Sequence, residues 1–161
     1  LLNSIMGGSM SSRLFQNIRE EKGLAYSVFS MNSSYSTDGC FIIYAGVGHD
    51  KIEDALGGIE EELEILGKEG VTQDELSMAK EQMKSSYIFG QENVASRMFA
   101  NGKNLILVDK IFTPDEVVQG IDKVSLEDID MVKKLICNPA VYTGVAVTDK
   151  RIDWKKIWKW Q

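Results

Sequence analysis

One histidine, two isolated cysteines and two runs of carboxylates are the residues whose types first raise a catalytic or metal centre. His49 follows Gly46-Val47-Gly48 and precedes Asp50, at a strand-to-helix turn. With a single histidine, no two-histidine zinc motif can occur, and His49 with two distant cysteines would need an improbable geometry. A solvent-facing turn histidine is the expectation. Cys40 and Cys137 lack C-x-x-C spacing. A disulfide, two free thiols or part of a metal site are all open to them, and two buried free thiols are expected, since cysteine packs as a small hydrophobe. Glu20-Glu21 and Glu60-Glu61-Glu62 suggest paired carboxylates, but each run falls on a helix and reads as a solvated face. No Gly-x-Ser-x-Gly elbow and no P-loop is present. Gly7-Gly8 does not follow a strand, so a dinucleotide fingerprint is absent as well.

The elements around these residues follow from periodicity and caps. Leu1, Leu2, Ile5 and Met6 recur at helical spacing and end at Gly7-Gly8-Ser9. Ser11 or Ser12 caps a short helix to about Glu21, with Leu14, Phe15 and Ile18 on one face and Gly23 as its stop. Residues 25–35 read as a strand, with Phe29, Met31 and Tyr35 on one parity and Tyr26 and Val28 on the other. Thr37-Asp38-Gly39 turns the chain into a second strand, 40–47, giving an antiparallel hairpin. An amphipathic helix spans 51–66, with Ile52, Ala55, Leu56, Ile59, Leu63 and Leu66 in one stripe. Thr72 with Glu75, Thr113-Pro114 with Glu116, and Ser125 with Asp128 open three more helices, and another runs from 94 to about 107. Asn138-Pro139 breaks the last one, and a third strand is expected over 140–148. The pattern predicts an α+β fold: an antiparallel sheet with helices packed on one face.

Composition narrows the function classes. The chain has 161 residues, 43% of them hydrophobic and 26% charged, which is ordinary for one soluble domain. Its net charge is −6, from 24 acidic and 18 basic residues, which argues against nucleic acid as a partner. No run reaches the ~20 apolar residues of a membrane span. The segment 149–161 differs in character from 1–148, with Trp154, Trp158 and Trp160 among lysines. A membrane surface could take Trp154, Ile157 and Trp158, but docking of the tryptophans on the domain or on another half is preferred.

One stretch goes beyond periodicity. Within Leu2 to Ser27, the runs Gly7-Gly8-Ser9-Met10-Ser11-Ser12-Arg13-Leu14-Phe15 and Ile18-Arg19-Glu20-Glu21-Lys22-Gly23-Leu24-Ala25-Tyr26-Ser27 closely resemble the hallmark of the second, metal-free domain of insulinase/pitrilysin-type zinc peptidases. That family, the inverzincins, includes the mitochondrial processing peptidases. Asp38-Gly39, Gly70-Val71-Thr72 with Glu75, and Ser125 to Asp128 fit it more weakly. The resemblance covers about residues 1–147.

The resemblance implies two halves of similar α+β fold. One half binds zinc through an inverted His-x-x-Glu-His motif and a downstream Glu. The other, resembled here, carries no metal, closes over the first and lines the substrate chamber. It also implies a strand and most of a helix before Leu1, so the sheet is expected to be incomplete. By position, Arg19 and, seven residues later, Tyr26 match an Arg and a Tyr that this half places near the zinc site. The expected role is therefore a substrate-binding, chamber-closing domain of a bacterial-type, cytoplasmic zinc endopeptidase, with residues 1–148 as the domain. Its partners would be a peptide substrate and the zinc-bearing half, in the same or a separate chain, with a homo-oligomer also open. No catalytic or metal residue is expected in the chain by itself. The alternative is a non-catalytic scaffold or partner subunit of the same family. On purely structural grounds Arg19 would pair with Glu20 or Glu21, and Tyr26 would be a half-buried strand aromatic. Arg13 is expected to hold the 7–12 turn through backbone carbonyls, and Gly7 and Gly8 to permit a kink.

Overall fold

A computed structural model describes residues 1–149 and 151–158. Its helices follow the capping chemistry. Helix α1 is Leu2–Gly7, α2 Ile52–Glu69, α3 Gln73–Gly90, α4 Val94–Val108, α5 Pro114–Lys123, α6 Leu126–Ile136 and α7 Trp154–Ile157. Reciprocal capping boxes open three of them, at Thr72 with Glu75, Thr113 with Glu116 and Ser125 with Asp128. In each, the hydroxyl and the carboxylate satisfy backbone N–H groups that the first turn leaves unpaired. Between α1 and the sheet lies a π-helical segment, Phe15–Glu21.

The sheet is one antiparallel hairpin, β1 Ala25–Ser34 and β2 Gly39–Val47. Its inner face, with Val28 and Ser30 buried, packs on the core formed by Met6, Leu14, Ile18, Leu63, Leu66, Leu76 and Ile129. The helices that build this core are α1, α2, α3 and α6 with the π segment, all on that face. The α+β arrangement with helices on one side is therefore as expected.

Three expectations are corrected. Residues 140–148 do not form a third strand. Pro139–Val141 is a short 3-10 turn, and the following residues make no ladder with β1 or β2. Extended backbone becomes a strand only where a neighbour takes its N–H and C=O groups, and this stretch instead makes side-chain contacts. The Tyr142 hydroxyl donates to the Ile136 carbonyl, and Gly144 lies against the rings of Trp154 and Trp158. Those two rings meet edge-on at 6.0 Å, and α7 lies against α2, so this part of the tail docks on the domain. Lys159 and Trp160 lie outside the described residues. Cys40 is exposed rather than buried, because it falls on the outer face of the hairpin, while Cys137 is half-buried; both are free.

Gly7 and Gly8 also act differently from a kink. Gly7 is the last helical residue of α1, and Gly8 follows with φ −86° and ψ −6°, right-handed values open to any residue. What demands glycine at position 7 is proximity. A side-chain carbon there would collide with the backbone nitrogen and the side chain of Ser30 on β1. The contact is completed by the Ser30 hydroxyl, which donates to Asn3 Oδ1 at 2.8 Å. Helix α1 thus sits directly on the strand that carries Tyr26. Gly7→Ala is expected to cost about 2 kcal/mol, the scale of overpacking a tight core. A fall in the urea midpoint at constant m-value would show it; an unchanged midpoint would remove the close approach as a constraint.

Candidate functional site

The hallmark segment is anchored at its start by Arg13. Its Nε donates to Glu75 Oε1 at 2.6 Å, and its Nη2 donates to Glu75 Oε2 at 2.8 Å and to the Gly70 carbonyl at 2.9 Å. Instead of holding the 7–12 turn, Arg13 reaches across to the start of α3. The turn closes without it, through the Ser12 hydroxyl donating to the Ser9 carbonyl at 2.6 Å. The partner is the same Glu75 that caps α3 by accepting from the Thr72 backbone N–H at 2.8 Å. With the Arg13 guanidinium as chief cause and the Thr72 donors behind it, the Glu75 carboxyl is held down at about 2.

From Arg13 the chain enters the π segment through Leu14; Leu14 and Ile18 are both fully buried. One residue further round, Phe15 and Arg19 fall at the rim of the domain. The Arg19 guanidinium carbon lies over the Phe15 ring, 4.8 Å from its centroid. Its Nε is 3.7 Å from Glu20 Oε1, a loose pair between exposed side chains. A π-helical turn is itself uncommon and recurs at functional sites.

The link from Arg19 to Tyr26 is clamped. The Lys22 N–H donates to the Asn17 carbonyl and the Leu24 N–H to the Ile18 carbonyl. Gly23 takes the left-handed conformation at φ 57°, where a side chain would be strained. Helix α2 and the turn before it supply three further ties. Lys22 pairs with Glu61 at 2.6 Å, Asn17 Nδ2 donates to Glu62 Oε1 at 2.5 Å, and Lys51 Nζ donates to the Gly23 carbonyl at 3.0 Å. Glu62 is buried, so burial raises its carboxyl above the usual range, with the Asn17 amide opposing.

Tyr26 is neither paired nor half-buried. Ala25 pairs with Val47 and Ser27 with Gly46, so Tyr26 is the extra residue of a β-bulge. The bulge breaks the alternation that would put Tyr26 on the side of Val28. Val28 is buried and Tyr26 is 87% exposed. Such bulges commonly re-aim a side chain beside a site. Arg19 and Tyr26 therefore both emerge to solvent at the two ends of one clamped turn. No hydrogen bond or ring contact joins them among the described residues.

The other candidates stay apart. His49 Nδ1 is 3.2 Å from Thr148 Oγ1 and 4.0 Å from Asp149 Oδ1, at the solvent-exposed turn before α2. Among the described residues, no three His, Cys, Asp or Glu side chains gather where they could hold a metal. Zinc therefore finds no fitting donor set among the described residues. Among the described residues no helix is long and apolar enough to cross a membrane. Sequence reasoning missed Phe15 as Arg19's neighbour, although their spacing of four residues, one helical turn, carried the signal.

The geometry is that of an α+β domain, an antiparallel hairpin with helices on one face, with no metal-binding cluster among its described residues. The chain belongs to the M16 peptidases: the family described as the peptidase M16 inactive domain matches residues 1–83. Among curated relatives, the uncharacterized zinc protease YmxG of Bacillus subtilis is 45% identical over 130 residues, which are 81% of this chain and 32% of that protein. An uncharacterized zinc protease of Rickettsia bellii is 41% identical over 145 residues, 90% of this chain and 35% of that protein. The chain thus spans about a third of the length of these relatives. Among solved structures, a conserved protein from Enterococcus faecalis superposes with TM-score 0.70 at 26% identity, covering 82% of this chain and 31% of that one. A peptidase M16 inactive domain from Pseudomonas fluorescens superposes with TM-score 0.68 at 22% identity, over 81% of this chain and 31% of that one, which bears on the fold alone.

The Arg13–Glu75 pair sets a pH dependence. A carboxyl held at about 2 in the fold, against an ordinary 4.5, adds stability that is complete above 4.5 and is lost as pH falls from there toward 2. Glu75→Gln is expected to lower stability at neutral pH by about 2 kcal/mol. It should also flatten the stability curve in that acid window. Thermal melts of both proteins at stepped pH check this; parallel curves would refute the assignment.

Proposed function

We propose that this domain binds peptide and stabilises the transition state in a zinc endopeptidase whose metal sits in a separate half. The observation that carries the reading is the bulge, which turns the Tyr26 hydroxyl outward at the end of a clamped turn whose other end presents Arg19. Hydrolysis of a peptide bond builds negative charge on the carbonyl oxygen, and a phenolic O–H aimed there donates to it as the charge grows. Arg19 offers a planar, permanently charged set of donors suited to peptide carbonyls or a carboxylate. The zinc held by the other half would supply the Lewis acid and the activated water.

Surface chemistry supports a second half. Helix α4 exposes Met98, Phe99, Leu105 and Ile106, and none of its residues is buried among the described residues. Large apolar side chains exposed together on one helix are what a surface for another half would present. In this reading residues 1–148 close the chamber over the zinc-bearing half, and the tail from 149 is a separate segment whose Trp154 and Trp158 pack against Gly144.

The test is Tyr26→Phe in the whole protein, with the zinc-bearing half present. Peptide turnover should fall more than about tenfold, on the scale of a lost oxyanion donor, with KM little changed. Unchanged turnover would leave the domain a scaffold or partner subunit.

A further inference from the structure

We infer that Phe15 is the positioning residue of Arg19: its ring is a fixed platform that holds the guanidinium extended at the rim, ready for peptide. The inference rests on the substrate role proposed for Arg19 and adds to it the device that sets that side chain's conformation.

The reasoning begins with the row next to it. Leu14, just before the π segment, and Ile18, four residues on within it, are both fully buried. They fix the rotation of the segment about its axis. Phe15 and Arg19 are the same pair moved on by one residue, so they must emerge where the core row ends. Phe15 is half-buried there, which immobilises its ring at the edge. The Arg19 guanidinium carbon lies 4.8 Å above that ring. Arginine side chains carry many rotamers, and a free one would sample them all. The competing restraint is weak, because Glu20 is 3.7 Å away and half exposed, and such pairs contribute little. The ring is therefore the stronger restraint. Among the described residues no hydrogen bond takes the Arg19 N–H groups, which meet only the loose Glu20 carboxylate and so stay open to a ligand. An aliphatic residue at position 15 would fill the same edge without a π face.

Four variants of the whole zinc-bearing protein test this with a peptide substrate. Phe15→Leu should raise KM about two- to fivefold, the weight of an exposed cation–π contact, and leave kcat unchanged. Phe15→Tyr, which keeps the ring, should behave as the parent. Arg19→Ala should raise KM, and Phe15→Leu added to it should raise KM no further. If Phe15→Leu fails to fold, Phe15→Met takes its place. Multiplying effects in the double variant, or a Phe15→Tyr protein as impaired as Phe15→Leu, would overturn the inference while leaving Arg19's role standing. An unchanged KM in Arg19→Ala would overturn that role, and the inference with it.

Discussion

The pairing of Arg13 with Glu75 is the contact from which the rest of the domain is hung. It joins residues 62 apart in the chain, through a two-pronged geometry that only arginine and a carboxylate supply. Its weight comes from sharing. The same carboxylate caps α3, and the same guanidinium holds the Gly70 carbonyl at the end of α2. Removing either partner opens a helix terminus and strands a partly buried charge, which is far costlier than losing a surface ion pair. Because Leu14 follows Arg13 directly, this anchor also fixes where the π segment begins. It thereby decides which of its residues enter the core and which reach the rim.

From that start the segment alternates between stability and presentation at single-residue resolution. Leu14 and Ile18 are fully buried, while Phe15 and Arg19 lie one step round the helix. Ala25 is buried and Tyr26, next to it, stands in solvent. A regular strand would have forced a choice, because its side-chain period ties Tyr26 to the core face with Val28. The bulge removes that tie by adding one residue to β1 opposite β2. The cost is an unpaired stretch of ladder, and the close seat of α1 on β1 at Gly7 and Ser30 holds the strand beside it.

What the sequence discloses divides along the range of the interactions. Capping boxes at Thr72, Thr113 and Ser125 are complete within four residues, and all three form as read. Gly23 as a helix stop is equally local. The hairpin follows from alternation and a turn. The errors concern partners. Arg13 shows a cation near a glycine-rich turn, and nothing local names Glu75. The bulge depends on the register against β2, so strict alternation misassigns Tyr26. Residues 140–148 have strand composition, yet composition cannot supply a neighbouring strand. Arg19 and Tyr26 themselves were found by resemblance. Periodicity alone makes one a surface charge and the other a strand aromatic.

That last distinction bears on why these two residues are where they are. A tyrosine kept for packing gains stability by burying its ring, roughly 2 kcal/mol for a large side chain. Tyr26 forgoes nearly all of it at 87% exposure. An arginine kept for stability would be expected in a geometry like that of Arg13, forked onto a carboxylate, whereas Arg19 has only a loose neighbour and a ring. The two arginines lie six residues apart and show opposite solutions. One has its donors largely committed inside the fold, and the other keeps them outward on a rigid seat. The clamps from Lys22, Asn17 and Lys51 then make sense as the rigidity that such a seat requires. A turn this heavily tied, ending in two polar side chains that add little to the core, fits the ligand-facing role proposed for it.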